Sequence, residues 1–149
     1  MSEALEFLND LFAKAKKAGA DAADGHHVVS QSLSTSMRMG KREDLERSES
    51  LDMMLRVFIG QRQACVASSD TSAQAMEELV ERAVSMAKVA PEDPYCGLAP
   101  EDRLAKKWPD LDLFDDYEYD TEALYGIAAE TEEAALAVDG VTNSNGAGA

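Results

Sequence analysis

Apolar and polar residues alternate along 51–59. Met53, Leu55, Val57 and Ile59 fall on one side of the period and Asp52, Met54, Arg56 and Phe58 on the other. A period of two predicts a strand. Gly60-Gln61 follows as a two-residue turn, because Gly adopts the positive φ that the first central position of a II′ turn requires. The returning stretch then sets Val57 opposite Ala64, Leu55 opposite Val66 and Met53 opposite Ser68. Opposed residues share a face, so one face of this hairpin is mostly apolar. The pattern predicts the hairpin at the centre of a sheet. Its tip, Gly60-Gln61-Arg62, reads as a solvated turn rather than a basic functional loop.

The spacing changes to three and four in three other places. Leu5, Leu8, Leu11, Phe12, Ala15 and Ala18 predict an amphipathic helix over 3–18, with Ser2 as its cap, lysines in its last turn and Gly19 as its stop. Met76, Leu79, Val80, Ala83, Ala87 and Ala90 predict a helix over 73–90, capped by Ser72 and ended by Pro91. Leu124, Ile127, Ala128, Thr131, Ala135 and Val138 predict a helix over 121–138, capped by Asp120 and closed by Asp139-Gly140.

Between the first helix and the hairpin, residues 21–39 read as one long strand or two broken by a bulge, with a turn at Met39-Gly40-Lys41. Residues 43–51 favour helix or loop by composition. Their place between two strand signals makes them a polar strand, at an edge. The expected class is α+β: an antiparallel β-meander of about four strands packed with helices, in α-β-β-β-β-α-α order. The expected organisation is an α+β domain over 1–98, an acidic linker over 99–120, and a helix with the start of a following segment over 121–149. In the linker, Leu98, Leu104, Trp108, Leu111, Leu113 and Phe114 are candidate anchors. Residues 141–149 read as a strand running into a turn with no return strand, as in a chain cut from a longer protein. Its open edge would invite pairing with another molecule.

Charge narrows the choice of partners. The 149 residues carry a net charge of −15. Residues 1–91 hold 11 Lys and Arg against 14 Asp and Glu, whereas residues 92–149 hold 3 against 15. This excludes nucleic acid, whose phosphates need clustered cations, and disfavours an anionic membrane surface. A solubilising surface, or one that meets a basic partner, fits instead. There is no secretory apolar segment and no run long enough for a membrane helix. Two cysteines, Cys65 and Cys96, do not make a disulfide framework, so the expectation is a reduced, cytoplasmic protein.

Candidate chemistry is sparse. His26 and His27 are adjacent on a strand and should point to opposite faces, so they cannot grip one metal ion. Cys65 and Cys96 lack zinc-ligand spacing. Asp110, Asp112, Asp115 and Asp116 lack the Gly and terminal Glu of a calcium loop. No phosphate-binding glycine loop or nucleophile elbow is present. The methionines read as core filler. No catalytic, cofactor-binding or metal-binding residue is assigned.

Several short stretches, in order, resemble the N-terminal region of the TldD/PmbA family, the "modulator of DNA gyrase" proteins. They are Gly19–Ala23, Met39–Glu49, Leu55–Ala64 followed by Ala67–Asp70, Glu92–Leu98, Pro109–Phe114 and Val141–Gly146. Glu92–Leu98 and Pro109–Phe114 are more similar to the PmbA (TldE) branch. Ala73 stands where the family often has Pro.

The resemblance implies a chain that ends before a C-terminal domain. It further implies zinc-dependent proteolysis by a TldD–PmbA complex acting on peptide or unfolded substrates such as microcin precursors and antitoxins. The zinc would lie in a TldD-like partner on a His-Glu-x-x-x-His helix. No such run occurs in this sequence, so no catalytic residue carries over and this chain is expected to be inactive alone. It would assemble with the TldD-like catalytic subunit and could form a homo-oligomer in isolation. The alternatives are the same domain of a TldD-like catalytic subunit, or a free-standing acidic adaptor that binds a basic protein.

Overall fold

The computed structural model describes residues 3–149. The elements run α1 (Glu3–Lys17), β1 (Ala22–Arg38), β2 (Lys41–Ile59), β3 (Arg62–Ser68), α2 (Ala73–Val89), a single 3₁₀ turn (Glu101–Arg103), α3 (Thr121–Leu136) and β4 (Ala147–Gly148). The four strands form one sheet in the order β3-β2-β1-β4. The α+β class and the four-stranded antiparallel sheet are those expected. The fourth strand comes from the C-terminal residues instead of from a division of 21–51. Lys41–Ile59 is one unbroken strand.

The chain divides into two compact units. The first comprises residues 1–29 and 50–108, the second residues 30–49 and 109–149.

In the first unit, β2 and β3 pair with Met53 opposite Ser68, Leu55 opposite Val66 and Val57 opposite Ala64, the register that the turn predicts. Gly60 has φ +56°, and its amide donates to the Asp21 carboxylate at 2.7 Å. The hairpin is not central, however. β3 is an outer strand and β2 is interior. The apolar face packs under the two helices: Met53, Leu55, Val57, Ala64 and Val66 form one core with Leu11 and Ala15 of α1 and Met76, Leu79, Val80, Ala83, Val84 and Ala87 of α2. α1 stops at Gly19, whose φ of +107° suits Gly alone. Its expected cap, Ser2, lies outside the described residues. The Ser72 hydroxyl accepts from Ala75 N at 3.3 Å and so caps α2.

β1 and β2 approach very closely at Gly25. A Cβ there would sit 2.3 Å from the Met54 carbonyl oxygen and 3.3 Å from the Phe12 ring. Only Gly fits this approach without moving the backbone.

In the second unit, Met39 (φ +49°) and Gly40 (φ +71°) join β1 to β2, with two positive φ values as in a type I′ turn. β4 pairs with β1 at Ser36 and Met37. Thr35 and Ala149 exchange both backbone hydrogen bonds, at 2.9 and 3.1 Å. A second, small core joins Met37, Tyr125 and Ala128. The Asp120 carboxylate caps α3 by accepting from Ala123 N at 2.7 Å.

α3 is rotated from its predicted face. Ile127, Thr131, Ala135 and Val138 are exposed, whereas Leu124, Tyr125, Ala128 and Glu132 are buried. The candidate anchors Leu98, Leu104, Trp108, Leu111, Leu113 and Phe114 are all exposed as well. They lie in an irregular stretch that offers them no apolar surface. Among the described residues no helix is long and apolar enough to cross a membrane.

Two substitutions test this packing. Leu55 is fully buried, so Leu55→Ala should destabilise by about 2–5 kcal/mol in chemical denaturation. A loss below about 1 kcal/mol would mean that the core face is misassigned. Gly25→Ala should cost about 1–3 kcal/mol through overpacking of the β1–β2 approach. Unchanged stability would show that the strands part without penalty.

Candidate functional site

The polar contacts of the second unit centre on the β1–β2 turn. A turn with two positive φ values leaves its backbone N–H groups pointing outward, and buried N–H groups need acceptors. Glu132 supplies both. One carboxylate oxygen accepts from Met39 N at 2.8 Å and the other from Gly40 N at 2.8 Å. Glu132 is only 2% exposed. The hydrogen bond from Gly40 holds its carboxyl below the usual range, against the opposing effect of desolvation. Ser144, Met39 and the charge of Arg38 act in the same direction as Gly40.

A second contact lies beside it. Arg42 Nη1 donates to Glu122 Oε1 at 2.8 Å, and Nη2 donates to the other oxygen. The Arg42 guanidinium also lies 4.3 Å from the centre of the Tyr125 ring. The hydrogen bond to Glu122 raises the pKa of Arg42 and lowers that of Glu122. The Tyr125 hydroxyl donates to the Asp44 carbonyl at 3.0 Å. These groups fasten helix to turn. Each of these carboxylate oxygens accepts a hydrogen bond.

In the first unit the outer face of the sheet carries a separate cluster. Arg56 Nε donates to Asp24 at 2.8 Å, with a second bond from Nη2. Its guanidinium lies 5.0 Å from the centre of the Phe58 ring. The hydrogen bond to Asp24 raises the Arg56 pKa, and both Cys65 and Cys96 act on Arg56 electrostatically.

The other candidates do not converge. His26 is exposed, whereas His27 stands edge-on to Phe7 at 5.7 Å. Asp110 and Asp115 accept from Asp112 N and Tyr117 N at 3.2 and 3.0 Å, closing local turns. Among the described residues no three His, Cys, Asp or Glu side chains gather as a metal site.

Glu132, Glu122, Arg42 and the Asp24–Arg56 pair were not legible as partners. Glu132 does fall four residues after Ala128, a helical spacing. Nothing in the sequence ties it to a turn more than ninety positions away.

Residues 27–87 match the profile of PmbA/TldA metallopeptidase domain 1. The chain belongs to the PmbA/TldD family. It is 34% identical over 148 residues, 99% of its length, to a metalloprotease PmbA homolog of Haemophilus influenzae. It is 30% identical over 145 residues, 95% of its length, to metalloprotease PmbA of Escherichia coli O157:H7. It spans 32% of the length of each.

Crystal structures share the fold. A Bacteroides thetaiotaomicron protein named as a modulator of DNA gyrase superposes with a TM-score of 0.83 at 20% identity, over 94% of this chain and 32% of that one. TldE from Thermococcus kodakarensis superposes with 0.74 at 16% identity, over 95% and 32%.

The turn contact has a pH signature. A lowered folded pKa means that the Glu132 contribution is complete above the ordinary value of 4.5 and fades as pH falls through the lowered one. Glu132→Gln should therefore lower the denaturation midpoint at neutral pH, with the deficit shrinking below pH 4.5. A deficit that stays constant down to acid unfolding would disprove the carboxylate's role.

Proposed function

We propose that this chain is the first domain of a PmbA/TldE-type subunit that does not itself cleave peptides. It assembles with a TldD-like catalytic subunit in a zinc metalloprotease complex and helps to enclose the substrate. The observation that carries this reading is the PmbA likeness, which runs along 99% of the chain at 34% identity.

The chain's own chemistry agrees with it. Zinc catalysis needs protein ligands with an open coordination position, and a base for the bound water. His26 is exposed whereas His27 stands against Phe7, and among the described residues no three potential ligands gather. In this reading the zinc belongs to the partner subunit. The substrates are peptides or unfolded proteins of the microcin-precursor or antitoxin kind, and the location is the cytoplasm.

The test is reconstitution. The chain, and the full-length subunit containing it, are titrated with zinc by calorimetry and assayed for peptidase activity, alone and with a TldD-like partner. Activity should appear only with the partner, and light scattering should show a complex. Submicromolar, stoichiometric zinc binding together with chelator-sensitive cleavage by the chain alone would overturn the reading and favour a catalytic TldD-like subunit.

A further inference from the structure

β4 pairs with the side of β1 that faces away from β2. Met37 stands opposite Ala147 and Ser36 opposite Gly148, and the backbone exchange between Thr35 and Ala149 continues that register. Each step forward along β4 is therefore a step back along β1. A strand that leaves Ala149 without turning meets Ser34, Leu33, Ser32, Gln31 and Ser30 in that order.

On this side no strand pairs with those five residues among the described ones. In an antiparallel ladder, residues that bond to one neighbour alternate with residues that bond to the other. Thr35 bonds to Ala149. Leu33 and Gln31 thus turn their N–H and C=O groups to the same open side, and Ser34 and Ser32 turn theirs to β2. Edges left open to solvent ordinarily carry charges; these five residues carry none.

The side chains point to the same place. Leu33 and Thr35 share a face with Met37, and Ala149 packs on that face against the cluster of Met37, Tyr125 and Ala128. Thr35 is 3% exposed, yet its hydroxyl has no hydrogen-bond partner among the described residues. A hollow of about 410 Å³, bounded in part by Gln31, Leu33, Tyr119 and Leu124, opens along the same stretch.

We infer that Ser30–Ser34 is a strand-addition site, and that its occupant is the polypeptide following Ala149 in the full-length protein, which prolongs β4 along β1. Two observations select this occupant over a separate molecule. The matched profile is that of a first domain, and this chain spans 32% of the length of each PmbA relative. β4 already has the required direction and register, so the added strand needs no turn and loses no freedom of a second body. The residue opposite Leu33 would stand on the face of the Met37 cluster, diagonal to Thr35. A polar group there satisfies the Thr35 hydroxyl. The inference rests on family membership and not on which subunit holds the zinc.

The experiment compares hydrogen exchange, resolved to single amides, in this chain and in the full-length protein. Leu33 and Gln31 should exchange fast in this chain and roughly a hundredfold slower in the full-length protein. Ser34, bonded to β2, should be slow in both. A proline is tolerated on a strand edge where the N–H it removes faces solvent. Gln31→Pro should therefore leave exchange at Ser34 unchanged in this chain, and should speed exchange at Leu33 in the full-length protein. Fast exchange at Leu33 and Gln31 in the full-length protein, with Ser34 still slow, would overturn the proposal. Protection in this chain that rises with its concentration would assign the edge to a second copy and overturn it too. So would protection that appears in the full-length protein only when a peptide or partner is added.

Discussion

The register of β2 against β3 is the constraint on which the first unit depends. A slip of one residue would turn Met53, Leu55 and Val57 outward and drive Met54, Arg56 and Phe58 under the helices. The change would cost more than apolar burial. It would carry the Arg56 cation into the core and strip it of Asp24. Several local features agree on the same answer. Gly60 supplies the turn, Asp21 takes the Gly60 amide, and the one cation of the strand's buried half sits on the face where its carboxylate waits. Agreement between turn chemistry, patterning and charge is what gives a sequence a single well-defined fold.

The second unit is held by different forces. Its apolar cluster is small, built on Met37, Tyr125 and Ala128. Much of its definition comes from charged acceptors and donors, Glu132 on the turn amides and Arg42 on Glu122, joined by a neutral bond from the Tyr125 hydroxyl to the Asp44 carbonyl. Hydrogen bonds to ionised groups are shorter and more directional than neutral ones, so they fix geometry where packing cannot. Regions with few buried apolar contacts open more readily than a well-packed core. Of the two units, this one is expected to be the first to open.

These differences also explain what the sequence revealed. The hairpin was legible because its signals are local: a period of two, a Gly at the turn, and a register that follows from both. Residues 41–50 were harder to read because every one is exposed, which leaves no apolar rhythm and a composition that favours helix. The face of α3 was misread for a related reason. The helix is rich in alanine, so two stripes compete closely, and the buried one contains a glutamate that ordinarily faces water. Only the distant turn amides explain why Glu132 is inside. The family was legible because its short motifs keep their order.

β3 pairs with β2 only from Met53 to Ile59, so on that side Lys41–Asp52 has no neighbouring strand among the described residues. A bare strand of this length would ordinarily act as a template for other chains. Here it carries Lys41, Arg42, Glu43, Asp44, Glu46, Arg47 and Glu49. Any chain laid against it would have to strip water from this dense row of charges. Charges of this kind insulate an open strand edge against pairing with another chain.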